Sequence, residues 1–178
     1  MDFKLFKLYI KIYYNLFLGK INNSIPKLNI DLSGIRLKNR LLIIFPIDEK
    51  SFRVAAYSFR KLMDYDNSDK YTLLINDEFK NLFYFNKGET IYAKFNIKKE
   101  KLSYDCKLED TLFDMIINLN IHEYFELYKL IGNINSNYKV GIKSALSNKF
   151  YNIEYNLLDD GTTESAYRNI KLLLGPKE

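Results

Sequence analysis

From residue 40 onward, short runs of consecutive apolar residues alternate with longer stretches whose apolar residues recur at helical spacing. A short continuous apolar run is typical of a central strand that is covered on both faces. The runs predict strands at 40–45, 71–76, 90–95, 113–120 and 138–142, with 151–157 as a possible sixth. The helical spacing predicts helices over 50–65, 78–83, 122–130 and 163–174.

This alternation of strands and helices predicts a doubly wound, Rossmann-like α/β domain of three layers with a mostly parallel sheet. In such a domain, ligands bind beyond the carboxyl ends of the strands, where the strand order reverses. Three segments fall there: Ile47–Lys50 after the first strand, Asn76 and Asp77 after the second, and Asn118–Glu123 after the fourth.

The first 39 residues have a different character and are predicted to form a helix over 2–20 and a linker over 21–39, ahead of the domain over 40–178. On a helix, Lys4, Lys7, Lys11 and Asn15 form one narrow polar stripe, and a broad apolar surface covers the rest. Three lysines in so short a stretch argue against a transmembrane span. The absence of an uninterrupted apolar run argues against a cleavable signal peptide.

Three partners could bury this apolar surface. The helix could pack on its own domain, or on another protein. It could also lie in a membrane interface, with its aromatic residues inserted and Lys4, Lys7 and Lys11 at the headgroups. The sequence pattern alone leaves all three open.

The distribution of charge favours an acidic partner for the N-terminal segment. Residues 1–40 contain eight Lys or Arg against two Asp, a net charge of +6, whereas the other 138 residues hold 19 basic and 20 acidic side chains. A nucleic-acid-binding protein would more often spread its basic patch over the folded domain, so we expect no nucleic-acid partner. An anionic membrane surface is the natural candidate.

No complete catalytic or cofactor-binding motif is present. The seven glycines are too far apart for a dinucleotide-binding or P-loop motif, so we expect no cofactor. One cysteine and one histidine fall short of a zinc site, so no metal is expected either. The lone Cys106 cannot form an internal disulfide, which indicates a reducing, cytoplasmic compartment, at the inner surface of the membrane if the helix binds there.

Several short sequence segments resemble segments of the N-terminal, acceptor-side half of the ADP-heptose:lipopolysaccharide heptosyltransferases, a glycosyltransferase family. They occur in the same order along the chain. RLLIIF followed by AAYSFRKL resembles that family's opening strand and first helix, and YTLLINDEFKNLF resembles its second β-α unit. TIYAKF is similar to its third strand, and FDMIINLN followed by YKVGI to a later pair of strands. The likeness spans roughly residues 40–175.

The resemblance implies a glycosyltransferase-like domain associated with lipopolysaccharide or cell-envelope glycan synthesis. Members of the family carry a Gly-Asp pair, whose Asp is the catalytic base, at the positions of Lys50 and Ser51 here. Asp48 or Glu49 are weak substitutes, and a solvated turn is the simpler interpretation of both. The family's nucleotide-sugar-binding half has no counterpart in these 178 residues.

We therefore expect a non-catalytic or accessory domain. One alternative is the acceptor-binding half of a split enzyme, partnered by a separate nucleotide-sugar-binding domain. The other is a plain protein-interaction module. The residues predicted to line a ligand cleft share a position near the carboxyl ends of the strands: Lys50, Ser51, Asn76, Asn118, Asn120 and His122. Each could instead have only a local structural role.

Overall fold

The computed structural model describes residues 3–22, 25–28, 40–60, 70–82, 84, 88–96, 99, 101–157 and 162–174. The strands within these ranges are β1 (Arg40–Ile44), β2 (Tyr71–Asn76), β3 (Glu89–Asn96), β4 (Lys101–Ser103), β5 (Phe113–Asn118), β6 (Ser136–Ile142) and β7 (Ile153–Tyr155). The helices are α1 (Phe3–Phe17), α2 (Glu49–Phe59), α3 (Phe125–Asn133) and α4 (Thr163–Leu173).

The strands form one sheet in the order β4-β3-β2-β1-β5-β6-β7. Every neighbouring pair is parallel except β3 and β4, which are antiparallel. The strand order reverses between β1 and β5. The predicted Rossmann-like α/β fold with a mostly parallel sheet is therefore confirmed, and its switch point lies where β1 and β5 end.

The sheet separates two hydrophobic cores. Leu41 and Ile43 of β1 face the core beneath α2 and α4, and Leu42 and Ile44 face the core beneath α3. All four side chains are at most 1% exposed. Because successive side chains of a strand point to opposite faces, a strand buried on both sides reads as an unbroken apolar run.

The main differences from the sequence prediction are at three places. The helix predicted to start at His122 begins at Phe125, because the residues after β5 are held in extended or bent backbone beside the loop that follows β1. The helix predicted over 78–83 is a 3₁₀ turn at Asp77–Phe79, followed by turn residues to 82. The edge strand β4 was not predicted, because Lys101–Ser103 is too short to show a periodicity.

Other predicted segments extend beyond the described residues. The helix predicted over 50–65 is α2 as far as Phe59, and residues 61–69 lie outside the described part of the chain. Most of the predicted linker over 21–39 also lies outside it. Ile21, at its start, is a core residue with 3% exposure rather than part of a linker.

Candidate functional site

Asn120 ties together the two loops that meet at the switch point. Its side-chain oxygen accepts a hydrogen bond from the backbone N–H of Ile47 at 2.9 Å. Its amide nitrogen donates to the carbonyl of Phe45 at 3.2 Å and to Oδ1 of Asn118 at 2.8 Å. Asn120 is only 1% exposed. The crevice in which such a fold would hold a ligand is therefore crossed by hydrogen bonds of the chain itself.

Three tyrosines complete this network, one from the segment between β6 and β7, one from β7 and one from α4. Asn118 Nδ2 donates to the hydroxyl of Tyr151 at 2.8 Å, and the hydroxyl of Tyr155 donates to the Asn118 carbonyl at 3.0 Å. The Tyr167 hydroxyl donates to the carbonyl of Leu119 at 2.8 Å. Burial raises the pKa of all three phenols, and the charge of Asp48 adds to the shift in the pKa of Tyr167. These groups remain neutral donors and acceptors at physiological pH.

A glycine makes room for one of these tyrosines. A Cβ atom at position 141 would lie 2.3–2.5 Å from ring atoms of Tyr151. Only a residue without a side chain allows the ring to lie against β6 and to reach Asn118. The glycine in the phrase YKVGI is therefore explained by packing inside the chain.

The loop that follows β1 caps a helix. Asp48 is the N-cap residue of α2, and its Oδ1 accepts the backbone N–H of Ser51 at 2.8 Å. Glu49 pairs with Arg53 one turn later, at 2.7 Å. Asn76 similarly accepts the N–H of Glu78 at 3.4 Å. Carboxylates and amides at these positions serve the termini of their own helical turns.

Two of the three remaining predicted cleft residues point into solvent. Lys50 and His122 are both exposed near the carboxyl edge of the sheet, whereas Ser51, in the first turn of α2, is buried. The structure thus brings Asn76, Asn118 and Asn120 together around the β1 loop and leaves Lys50 and His122 outside this group. Within the residues that the structure describes, no cluster of three His, Cys, Asp or Glu could hold a metal ion.

α1 packs on the main domain along a narrow seam. Ile12 is the helix's one fully buried residue in the described structure, with 0% exposure. The ammonium of Lys11 lies 4.1 Å from the ring centroid of Phe125, the first residue of α3. Lys149, in the turn after β6, lies 5.4 Å from the ring centroid of Tyr13. Part of the predicted polar stripe therefore faces the domain.

The segment after α1 is clamped against the end of α3. The N–H of Asn22 donates to Oδ1 of Asn133 at 2.9 Å, and Ile21 lies beside Gly132. A Cβ at position 132 would lie 2.5 Å from the Asn22 carbonyl oxygen and 2.9 Å from Cγ2 of Ile21. A glycine inside a helix usually lowers its stability, so its presence in α3 marks this close approach.

The opposite face of α1 is apolar and open to solvent. Six large apolar side chains, each between 47% and 88% exposed, lie on this outer face: Phe3, Phe6, Ile10, Tyr13, Tyr14 and Phe17. Lys7 is exposed at its border, with its ammonium 4.5 Å from the ring centroid of Phe3. Soluble monomers rarely expose so large a contiguous apolar surface, which makes this face a candidate binding site.

A buried lysine is the group that sequence reasoning missed. Lys139 on β6 is 3% exposed, and its ammonium donates to the Ile131 carbonyl at 2.7 Å and the Gly132 carbonyl at 3.4 Å. Burial lowers the pKa of Lys139 to about 8. The carbonyl end of α3 favours a cation there. In the sequence, this buried cation was indicated only by a lysine inside the otherwise apolar segment YKVGI.

Two open grooves lie elsewhere on the surface. One, of about 730 Å³, runs between α2 and α4 and is lined by Arg60, Arg168 and Lys171 beside the exposed ring of Tyr57. The other, of about 640 Å³, lies beyond the ends of β2 and β3. Its cations are all lysines: Lys94, Lys99 and Lys101. Both grooves are lined by basic and acidic side chains.

None of the described helices is long and apolar enough to cross a membrane. Comparison of the chain with protein-family models, with curated proteins and with solved structures finds no match.

Proposed function

We propose that this chain is a peripheral membrane protein, in which α1 lies in the interface of an anionic membrane and the α/β domain is a non-catalytic, glycosyltransferase-like scaffold. The observation that carries the proposal is the outer face of α1. It presents six large apolar side chains to solvent on a helix whose other side is already packed on the domain.

The chemistry of this face fits a membrane interface better than bulk water. Five of its six residues are Phe or Tyr, which bury an apolar ring while a Tyr hydroxyl stays among the headgroups. Full burial of one such side chain contributes about 1.5–3 kcal/mol. The helix is 15 residues long, about 22 Å, so the whole face can lie flat in the interface without spanning the bilayer.

The charge of the segment selects an anionic surface. Residues 3–22 contain four lysines and no acidic residue, and Lys4, Lys7 and Lys20 are exposed. Each basic residue near an anionic membrane contributes about 1 kcal/mol. Apolar insertion and electrostatic attraction together support reversible binding, which is the behaviour expected of an amphipathic anchor.

The non-catalytic part of the proposal is supported by the hydrogen bonding at the switch point. Asn118 and Asn120 bond to the chain itself, and the carboxylates of Asp48 and Glu49 are engaged with Ser51 and Arg53. The glycosyltransferase-like part of the proposal rests on the sequence segments that resemble the heptosyltransferases. The observed strand order is compatible with that resemblance. Because proteins with this fold have many different functions, the fold alone is not independent support for a glycosyltransferase-like domain.

Vesicle sedimentation tests the membrane role. The wild-type chain is expected to sediment with phosphatidylcholine vesicles containing phosphatidylglycerol, and less well as salt is raised. The double variant Phe6→Ser/Phe17→Ser removes two exposed rings, and we expect binding to weaken by at least about tenfold. Tyr57→Ser is the matched control, because Tyr57 is 78% exposed on α2, on the other face of the sheet.

Equal binding by the double variant and the control would exclude the outer face of α1 as the anchor. A separate assay addresses catalysis: the purified chain is incubated with nucleotide sugars and lipid acceptors. No transfer is expected from the chain alone. Transfer that appears only with a copurifying nucleotide-sugar-binding protein, and is lost in Asp48→Ala, would favour the split enzyme instead.

A further inference from the structure

The outer face of α1 is bordered by a lysine that belongs to the main domain. Lys149 follows β6 and lies more than 130 residues from α1 in sequence, yet its ammonium is 5.4 Å from the ring centroid of Tyr13. Tyr13 is 49% exposed on the outer face. Within the described structure Lys149 forms no ion pair, so its charge is available at the border of the apolar surface.

We propose that the membrane-binding surface is composite: α1 binds anionic phospholipid headgroups while still docked on α3, and Lys149 contributes a headgroup contact beside Tyr13. This inference rests on the proposed membrane function and adds its binding mode. The occupant fits on two counts. Phospholipid phosphates are complementary to Lys149, Lys7 and Lys20, and acyl chains are complementary to the aromatic side chains between them.

Docking competes with a simpler mode, in which α1 detaches and inserts as a free helix. A detached α1 would expose Ile12 and Ile21, which are 0% and 3% exposed in the docked chain. It would also break the hydrogen bond from Asn22 to Asn133 and separate Lys11 from Phe125. The outer face is already accessible without detachment, so the docked form binds without losing these contacts.

The docked mode fixes which side of the domain faces the bilayer. α1 and Lys149 lie on the α3 side of the sheet, whereas α2 and α4 cover the opposite side. Lys171 on α4 therefore points away from the membrane in the docked mode. A free helix on a tether would impose no such distinction between Lys149 and Lys171.

Paired charge variants test the contribution of the domain. Lys149→Gln and Lys171→Gln remove one charge each from the surface, and neither residue is in a buried ion pair. In the sedimentation assay with phosphatidylglycerol vesicles, we expect Lys149→Gln to bind about fivefold more weakly and Lys171→Gln to bind like wild type. Equal affinities for the two variants would overturn the composite surface.

A glycine variant tests docking itself. Gly132→Ala places a methyl group against the Asn22 carbonyl and Ile21. It should therefore weaken the contact of these two residues with α3, while it improves the intrinsic helix propensity of α3. Faster amide exchange in α1 with unchanged exchange in β1 and β5 would show that only docking is affected. The composite surface predicts weaker vesicle binding by this variant, whereas a free helix predicts equal or stronger binding.

The outcomes separate the two proposals. If wild-type protein fails to sediment with anionic vesicles, the membrane function itself is excluded. If wild type sediments, Phe6→Ser/Phe17→Ser does not, and either Lys149→Gln or a Gly132→Ala chain with faster exchange in α1 binds like wild type, the membrane function stands and the composite docked mode is overturned. Weaker binding by both variants, with Lys171→Gln unaffected, supports the composite mode.

Discussion

At the carboxyl edge of the sheet, polar side chains are buried, whereas on the outer face of α1, aromatic side chains are exposed. Asn120 is 1% exposed and its side chain makes three hydrogen bonds within the chain, whereas Phe17 is 88% exposed. The two regions depart from the usual division of polar outside and apolar inside in opposite directions.

The difference shows where binding capacity remains. A buried polar group whose hydrogen bonds are all made within the chain stabilises the fold. Little of its hydrogen-bonding capacity remains for a ligand. An exposed apolar group keeps its full free energy of transfer for a partner. The groups that hydrogen-bond at the switch point thus stabilise the fold, and under the proposed function it is the exposed face of the N-terminal helix that favours association.

Alkaline pH should affect the buried network most strongly. Tyr151, Tyr155 and Tyr167 have pKa values raised above 10 by burial, so the folded state keeps protons that the unfolded state releases. Their contribution is intact below pH 10 and is lost as pH rises toward the folded-state pKa values. We expect stability to fall by about 1.4 kcal/mol per pH unit for each such tyrosine.

Tyrosinate absorbance and circular dichroism, followed together during alkaline titration, check this expectation. The late-ionising fraction of the tyrosines should titrate together with loss of the folded signal. Ionisation of all tyrosines near pH 10 with the fold intact would show that the phenols at the switch point are open to solvent.

Loss of Asn120 should have the next largest effect. Asn120→Ala leaves the buried N–H of Ile47 and the carbonyl of Phe45 without their partner, and we expect the free energy of unfolding to fall by about 3 kcal/mol. Denaturant unfolding measures the change. Asn169→Ala, at an exposed position on α4, is the matched control and should stay within about 0.5 kcal/mol of wild type.

If the switch point instead holds a ligand, Asn120→Ala should cost little stability and should reduce binding. A stability loss no greater than that of Asn169→Ala would therefore contradict the structural interpretation of this edge.

Asp48 allows a smaller and more local test of the same edge. Asp48→Ala removes the cap of α2 and is expected to lower the free energy of unfolding by about 1 kcal/mol. Glu49→Ala breaks only an exposed ion pair with Arg53 and should change it by less than about 0.5 kcal/mol. Chemical denaturation of both variants distinguishes them, and equal, negligible losses would argue against the capping role of Asp48.

Much of the fold could be predicted from the sequence because local patterns determine it. The unbroken apolar runs of β1, β2 and β5 follow from burial on both faces, and β2 occupies the predicted residues 71–76. The start of α3 was harder to predict. It depends on how the chain after β5 is held by the loop after β1, which is a long-range contact without a local pattern.

The roles of the polar residues were less accessible to sequence reasoning. Whether Asn118 faces a ligand or a tyrosine depends on Tyr151 lying against Gly141, 23 residues further along the chain. The split of α1 into a docked and an exposed face depends likewise on Gly132 and Ile21. The amphipathic pattern predicted a helix that needs a partner, but a pattern on one helix cannot show which side its own domain covers.

The smallest expected effect on stability comes from the outer face of α1. Phe17→Ser removes a ring that is 88% exposed, so the folded chain loses almost no buried area and the free energy of unfolding should change by less than about 0.5 kcal/mol. Ile12→Ser, one turn and a half earlier on the docked side, instead places a hydroxyl in an apolar seam. It should release α1, which amide exchange would detect. If Phe17→Ser proved as damaging as Ile12→Ser, the ring of Phe17 would have to be buried within the protein, and the contrast between the two regions would fail.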